Sequence, residues 1–309
     1  MKRLMPVVMT SVMVLPMAAH AEGPIDGKVY GKINAAYLST DDAGTSDSFL
    51  ESHASRLGFK GKSDVENGMS IVYQLEYEIN PTEKKADATS TFKSRNSYVG
   101  LGTDIGTFVM GIHDTPFKLA QGKVDQFNDM KWGDIKELVQ GEVRATDVFG
   151  YISPEMNGLS VMAAVTQYED GDEGSSDATS VSVAYKGVEN LYLSLAVDSE
   201  TAGHDATRLV AQYKMGALTV GALFNESEAV KSGVSKDSSV ISASYKIDNW
   251  KLKAQFGSGD EKNQGGEQVS FGADYKLGKK SKVYVYNSSL EDDSGTDKSV
   301  TGLGIEHKF

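Results

Sequence analysis

From Asn190 to Ser199 the chain alternates strictly: Leu191, Leu193, Leu195 and Val197 share one phase, and Tyr192, Ser194, Ala196 and Asp198 share the other. A period of two marks a β-strand whose two faces meet different surroundings. Trp250, Leu252, Ala254 and Phe256 repeat the pattern against Lys251, Lys253, Gln255 and Gly257, as do Val269, Phe271, Ala273 and Tyr275 against Ser270, Gly272, Asp274 and Lys276. Sixteen segments of about ten residues follow this rule between Asp26 and Phe309, and none carries a convincing long helical period. The apolar phase is free of charge through its middle. The opposite phase holds Lys32, Arg56, Lys60, Glu76, Glu78, Asp198, Arg208, Lys251, Lys253 and Asp274.

Connections between the segments alternate in kind. Short ones, such as Thr103-Asp104-Ile105-Gly106, Met215-Gly216-Ala217 and Ile247-Asp248-Asn249, take turns with longer polar ones such as Thr40 to Glu51 and Leu290 to Lys298. All six prolines fall outside the segments, as they must if every strand donates a full ladder of hydrogen bonds. Tyr-Lys pairs at Tyr185, Tyr213, Tyr245 and Tyr275 recur about every 30 residues just before short turns, and Phe309 ends the series. With Phe108 and Trp250 these rings predict one aromatic girdle; Tyr37, Tyr77, Phe224 and Phe256 predict the other. A soluble β-sandwich also alternates, but it buries its apolar faces between two sheets and has no rule about which strand ends carry aromatics. Uniform strands, polar inside and apolar outside, fit a closed lipid-spanning sheet instead. The expected fold is therefore all-β: a transmembrane antiparallel β-barrel of sixteen strands.

Composition agrees with an exported chain. Lys2 and Arg3, the apolar stretch from Leu4 to Met17 and Ala19-His20-Ala21 have the order of a secretory signal, so residues 1–21 are expected to be removed and 22–309 to form the barrel domain. Cysteine is absent, which excludes a disulfide-stapled fold. A net charge of −12 argues against nucleic acid as a partner. A mean hydropathy of −0.33 does not exclude a membrane protein, because only alternate residues of a barrel strand touch lipid.

Val29-Tyr30-Gly31-Lys32 opens the first strand, Ser55-Arg56-Leu57-Gly58-Phe59-Lys60-Gly61 lies in the second and Tyr98-Val99-Gly100-Leu101 in the fourth. With His113-Asp114-Thr115-Pro116-Phe117-Lys118 and the terminal Phe309, in that order, the chain resembles the general bacterial porins of the trimeric, sixteen-stranded type. The resemblance spans the whole chain after the signal. It implies an outer-membrane general diffusion channel for ions and small hydrophilic solutes, a homotrimer, outer-membrane lipid and lipopolysaccharide as surroundings, and no cofactor. It also implies that Phe309 acts as an assembly signal and that the third loop folds into the lumen. One departure is Ile112 after Gly111, where such porins often carry Arg, so the basic wall is expected to be thinner. Gly31 and Ala35 on the outer phase of the first strand would permit close approach of a neighbour.

The segment from His113 to Thr146 exceeds an ordinary loop, and Phe117, Leu119, Val124, Phe127, Met130, Trp132, Ile135, Leu138 and Val139 need shelter. Short helices are expected at Val124 to Lys131 and Asp134 to Gln140. An outward-folded lid is the rival arrangement. For an inward fold, Asp125, Asp129, Asp134, Glu137 and Glu142 are expected to form the acidic side of a constriction facing Arg56, Lys60, Arg95 and Arg144. Opposed charges across a narrow gap create a transverse field. Acidic loops at Tyr168 to Ala178 and Leu290 to Asp297 suggest a weak cation preference. A channel selective for one sugar, phosphate or organic acid is the alternative. The four histidines after the signal (His53, His113, His204 and His307) do not converge, and no catalytic motif occurs, so no enzyme or metal site is expected.

Overall fold

The computed structural model describes residues 26–83, 92–167, 177–262, 264–295 and 297–309. The expected signal segment and the carboxylates from Glu169 to Glu173 lie outside these residues. The strand segments are β1 (Asp26–Asp42), β2 (Thr45–Ser52), β3 (Arg56–Asp64), β4 (Ser70–Ile79), β5 (Phe92–Ser94) and β6 (Ser97–Thr103). Next come β7 (Gly106–Asp114), β8 (Arg144–Ile152), β9 (Leu159–Thr166), β10 (Ala178–Tyr185), β11 (Leu191–Thr201) and β12 (His204–Met215). The series ends with β13 (Leu218–Ala229), β14 (Val234–Ile247), β15 (Trp250–Gly259), β16 (Gly266–Lys276), β17 (Ser281–Glu291) and β18 (Asp297–Lys308).

Every pairing is antiparallel between chain neighbours, and β1 closes the ring on β18. The segments make sixteen barrel strands because two strands are interrupted. β2 and β3 both pair with β1, separated by His53 to Ser55, where Ala54 adopts positive φ. β5 and β6 both pair with β4, separated by Arg95 and Asn96. Both breaks lie on the same side of the barrel.

The two phases separate as the alternation requires. On β11 Leu195 is 46% exposed while Ala196 is 1% exposed; on β14 Ile241 is 59% exposed and Val240 is fully buried. A closed sheet with an apolar outside leaves no unpaired edge in hydrocarbon. Tyr213, Tyr245, Trp250 and Phe309 are exposed at the short-turn rim, and Trp250 packs on Tyr275 with centroids 4.7 Å apart. Tight turns at that rim use Gly216 and Asp248 at positive φ.

The small Gly31 has a use within the chain. The Gly31 amide donates to the Phe309 carbonyl at 3.3 Å, the Phe309 amide returns the bond at 3.1 Å, and a Cβ at Gly31 would overlap the Phe309 ring. The Phe309 ring thus fills the space beside Gly31.

Candidate functional site

Between β7 and β8 the chain runs through residues 115–143, which lie against the barrel face opposite the exposed apolar phase. Its root is closed by the Thr115 amide donating to the Val143 carbonyl at 3.1 Å. Thr115 caps the single helical turn α1 (Pro116–Leu119), accepting from the Lys118 amide, and Pro116 supplies a preset φ at its first position. Neither expected helix forms. Val124 to Lys131 is a run of turns, and within Asp134 to Gln140 only a 3-10 turn at Ile135–Glu137 is regular. The backbone groups a helix would have satisfied are bonded by wall side chains and by the segment's own Asp125 and Asp134 instead.

Three apolar contacts hold the segment. Phe117 and Ala120 pack with Ala196 and Ala206; Val124, Ile135, Leu138 and Val139 with Val210, Leu223, Val240 and Leu290; Phe127 and Met130 with Ala36, Leu38, Tyr286 and Val300. All eight side chains from the segment are buried. The wall residues belong to the inner phase of their strands, so the segment is inside the ring.

Neutral polar side chains supply the second hold. The Gln255 amide donates to the Gly133 carbonyl at 3.0 Å and accepts from the Gln126 amide at 2.9 Å. Gln268 donates to the Trp132 and Asp134 carbonyls at 2.9 and 3.1 Å, and the Ser238 hydroxyl to the Leu138 carbonyl at 3.2 Å. The fully buried Arg208 donates to Glu142 Oε1, Asn225 Oδ1 and the Gln140 carbonyl, each at 2.8 Å. The Asn225 side-chain amide donates to Glu261 Oε1 at 2.6 Å, and Glu261 accepts from the Gln140 amide at 3.3 Å.

The other wall is charged. Asp129, at φ 66°, stands at the tip of the segment and pairs with Lys32 and Arg56, both at 3.0 Å. Arg56 is 3.6 Å from Glu76; Arg95 pairs with Glu76 at 2.9 Å and with Glu78 at 2.7 Å. At the root Asp114 pairs with Arg144 at 3.0 Å and Lys118 at 3.1 Å, while Asn96 bridges Asp114 and Arg144. Burial alone would raise the Asp129 carboxyl, but the Lys32 and Arg56 cations outweigh it and hold it below the usual carboxylate range. Asp125 moves the other way: burial and the Asp134 carboxylate push it well up, against two backbone amides that favour its charge.

Of the nine residues the sequence singles out, Arg56, Arg95, Asp125, Asp129 and Arg144 line one cavity of about 270 Å³, together with Asp114, Lys118, Gln121, Lys123 and Asn128. Lys60 sits apart, its ammonium 4.6 Å from the Tyr30 ring centroid. Asp134 is buried, accepting from the Asp129 and Lys136 amides. Glu142 is enclosed by its bond to Arg208, and Glu137 lies half-buried in the 3-10 turn away from this cavity. Lys32, Asp114, Lys118 and Lys123 enter the site without having been singled out for it. Lys32 could have been found from its inner-phase position on β1, and Lys118 and Lys123 from their place in the loop.

Comparison with known proteins places these features. The profile of the Gram-negative porin family matches residues 9–295. The chain is 27% identical to major outer membrane protein P.IB of Neisseria gonorrhoeae over 348 residues, covering 96% of this chain and 97% of the relative. It is 24% identical to the protein of that name from Neisseria meningitidis serogroup B, covering 96% of each. Among solved structures, an anion-selective porin from Comamonas acidovorans superposes with a TM-score of 0.75 at 20% identity, covering 92% of this chain and 100% of that one. Salmonella typhi OmpF, in complex with daunomycin, gives 0.76 at 17% identity, covering 92% and 97%.

Proposed function

The chain belongs to the Gram-negative porin family, and we propose that its charged cavity, bounded by the segment 115–143 on one side and by β1, β3 and Arg95 on the other, is the gate that sorts what passes. The protein is an outer-membrane channel for passive diffusion of ions and small hydrophilic solutes. A sixteen-stranded ring is wide enough to enclose water, so width and charge at the narrowest point set the passage. The observation that carries the gate is Asp129 reaching across from the loop to Lys32 and Arg56.

The cavity lining carries five bases, Arg56, Arg95, Lys118, Lys123 and Arg144, against Asp114, Asp125 and Asp129. This supports a modest anion preference at the gate, in place of the cation preference that the acidic loops suggest. Loop carboxylates act at the mouth, and a Debye length of about 8 Å at physiological salt attenuates them before the gate. The Comamonas neighbour is described as anion-selective, in the same direction. Reversal potentials in a KCl gradient test this: a sign showing chloride more permeant supports the preference, and one showing potassium more permeant contradicts it.

The same reading gives Asp134 and Glu142 an anchoring part, and Glu137 and Lys60 a lesser effect on the field. It assigns no catalytic step, on the strength of the family. Cleavage after Ala21, a homotrimer, contact with lipopolysaccharide and recognition of Phe309 during assembly complete the proposal; the Neisseria relatives' description as major outer membrane proteins supports the setting in which these occur.

A further inference from the structure

Cross-strand neighbours of like charge repel, since their Cβ atoms stand about 4.5–5.5 Å apart, and sheets usually avoid them. Here they are sorted by sign to opposite rims. At the short-turn rim Lys28 faces Lys60, Lys246 faces Lys251, Lys276 faces Lys282 and Lys32 faces Lys308. Every one of these lysines is on the inner phase, alternating with exposed outward residues such as Phe59, Trp250 and Ile305. At the long-loop rim Asp205 faces Glu228, Glu226 faces Asp237, and Glu291 faces both Glu267 and Asp297. These carboxylates are on the outward phase, on the outer surface of the rim, so of the two sets the lysines alone line the lumen.

Neutralisation does not erase the lysine ring. Lys253 and Lys282 share the single carboxylate of Asp274, each at 3.0 Å, and Lys32 and Lys308 share that of Glu306 at 3.9 and 3.4 Å, Lys32 also pairing with Asp129. Lys251 donates only to the neutral Gln126 side chain among the bonds of the described residues, and Lys246 and Lys276 are exposed. A water-filled vestibule with low-dielectric walls focuses the field of such a ring along the channel axis.

Resting on the channel reading above, we propose that the lysine-lined vestibule makes the pore a rectifier that passes small anions more readily from the short-turn side toward the long-loop side than in reverse. The sign follows from where ions accumulate. With the long-loop side positive, anions enter through the lysine ring and are enriched in the lumen, so current rises. With the polarity reversed cations meet the lysine ring first, the lumen is depleted and current falls. Screening must abolish the effect, because the Debye length falls from about 10 Å at 0.1 M to about 3 Å at 1 M salt.

The test is current against voltage for single channels of the full protein in a planar bilayer with symmetric KCl. Orientation is fixed by placing Ser232→Cys in the loop after β13 of this cysteine-free chain and labelling it with an impermeant thiol reagent from one side. The expected result at 0.1 M is a current ratio of about 1.5 or more, larger with the loop side positive, flattening at 1 M. The triple variant Lys246→Gln, Lys251→Gln, Lys276→Gln should lose most of that ratio, and the corresponding Glu variant should reduce or invert it. Equal currents at 0.1 M, the opposite sign, or a ratio unchanged in both variants would overturn the proposal while leaving the channel standing. Absence of any conductance would instead overturn the channel reading.

Discussion

The wall built from β1, β3, β4 and the break at Arg95 and Asn96 differs from the wall built from β11 to β17 in how each meets the loop. The first offers charges: Lys32, Arg56, Arg95, Glu76 and Glu78, with Arg56 and Arg95 bordering an open cavity. The second offers apolar side chains, serines and glutamines that bury the loop and bond its backbone, with enclosed ion pairs between Arg208 and Glu142 and between Lys253 and Asp274. One wall therefore holds the loop in place and the other leaves it room to filter. The difference teaches that a charge in this lumen acts on solute only where the loop stands away from the wall; where it docks, the charge becomes an anchor.

The largest effects should come from the docking wall. Arg208→Ala strands the enclosed Glu142 carboxylate and should cost about 3–5 kcal/mol, seen as a lower midpoint of thermal unfolding in detergent. Leu138→Ala leaves a void against Val240 and should cost roughly 2–4 kcal/mol, with noisier single-channel current as the loop loosens. Equal stability in both variants would erase the distinction between the walls.

Smaller structural effects, but larger changes of selectivity, are expected on the charged wall. Asp129→Asn should move the reversal potential toward chloride while costing about 1–2 kcal/mol, less than Arg208→Ala because its ion pairs are less completely enclosed. Acid should mimic this. The Asp129 carboxyl is lower in the folded protein than in the unfolded chain, so its contribution is complete above the ordinary carboxylate value of about 4 and is lost as pH falls through the depressed folded value. The chloride shift should thus appear on acidification in the native channel and be smaller in Asp129→Asn. Smallest of all, Lys60→Gln should leave stability within about 0.5 kcal/mol and barely move the reversal potential.

Much of the fold was legible because a period of two has one meaning once the apolar phase runs uncharged along uniform segments, as at Leu191 to Val197. The inward loop was legible too, since Phe117, Phe127 and Leu138 needed shelter that only the lumen could give. The loop's local shape was not. Its carbonyls at Trp132, Gly133 and Leu138 are satisfied by Gln268, Gln255 and Ser238, a hundred or more positions away, so no local propensity could report it. Nor could sequence divide the five loop carboxylates: Asp129 and Asp134 differ in function by which way a turn points them, and Asp129 needs the uncommon positive φ to face Lys32 and Arg56.

The most direct test of the account is whether the loop tip borders the conducting path. Asn128 is exposed in the cavity and is the residue beside Asp129. In an Asn128→Cys channel, attaching a bulky water-soluble thiol reagent during recording should lower single-channel conductance in one discrete step per pore. Complete labelling with conductance unchanged would contradict the inward loop and the gate built on it.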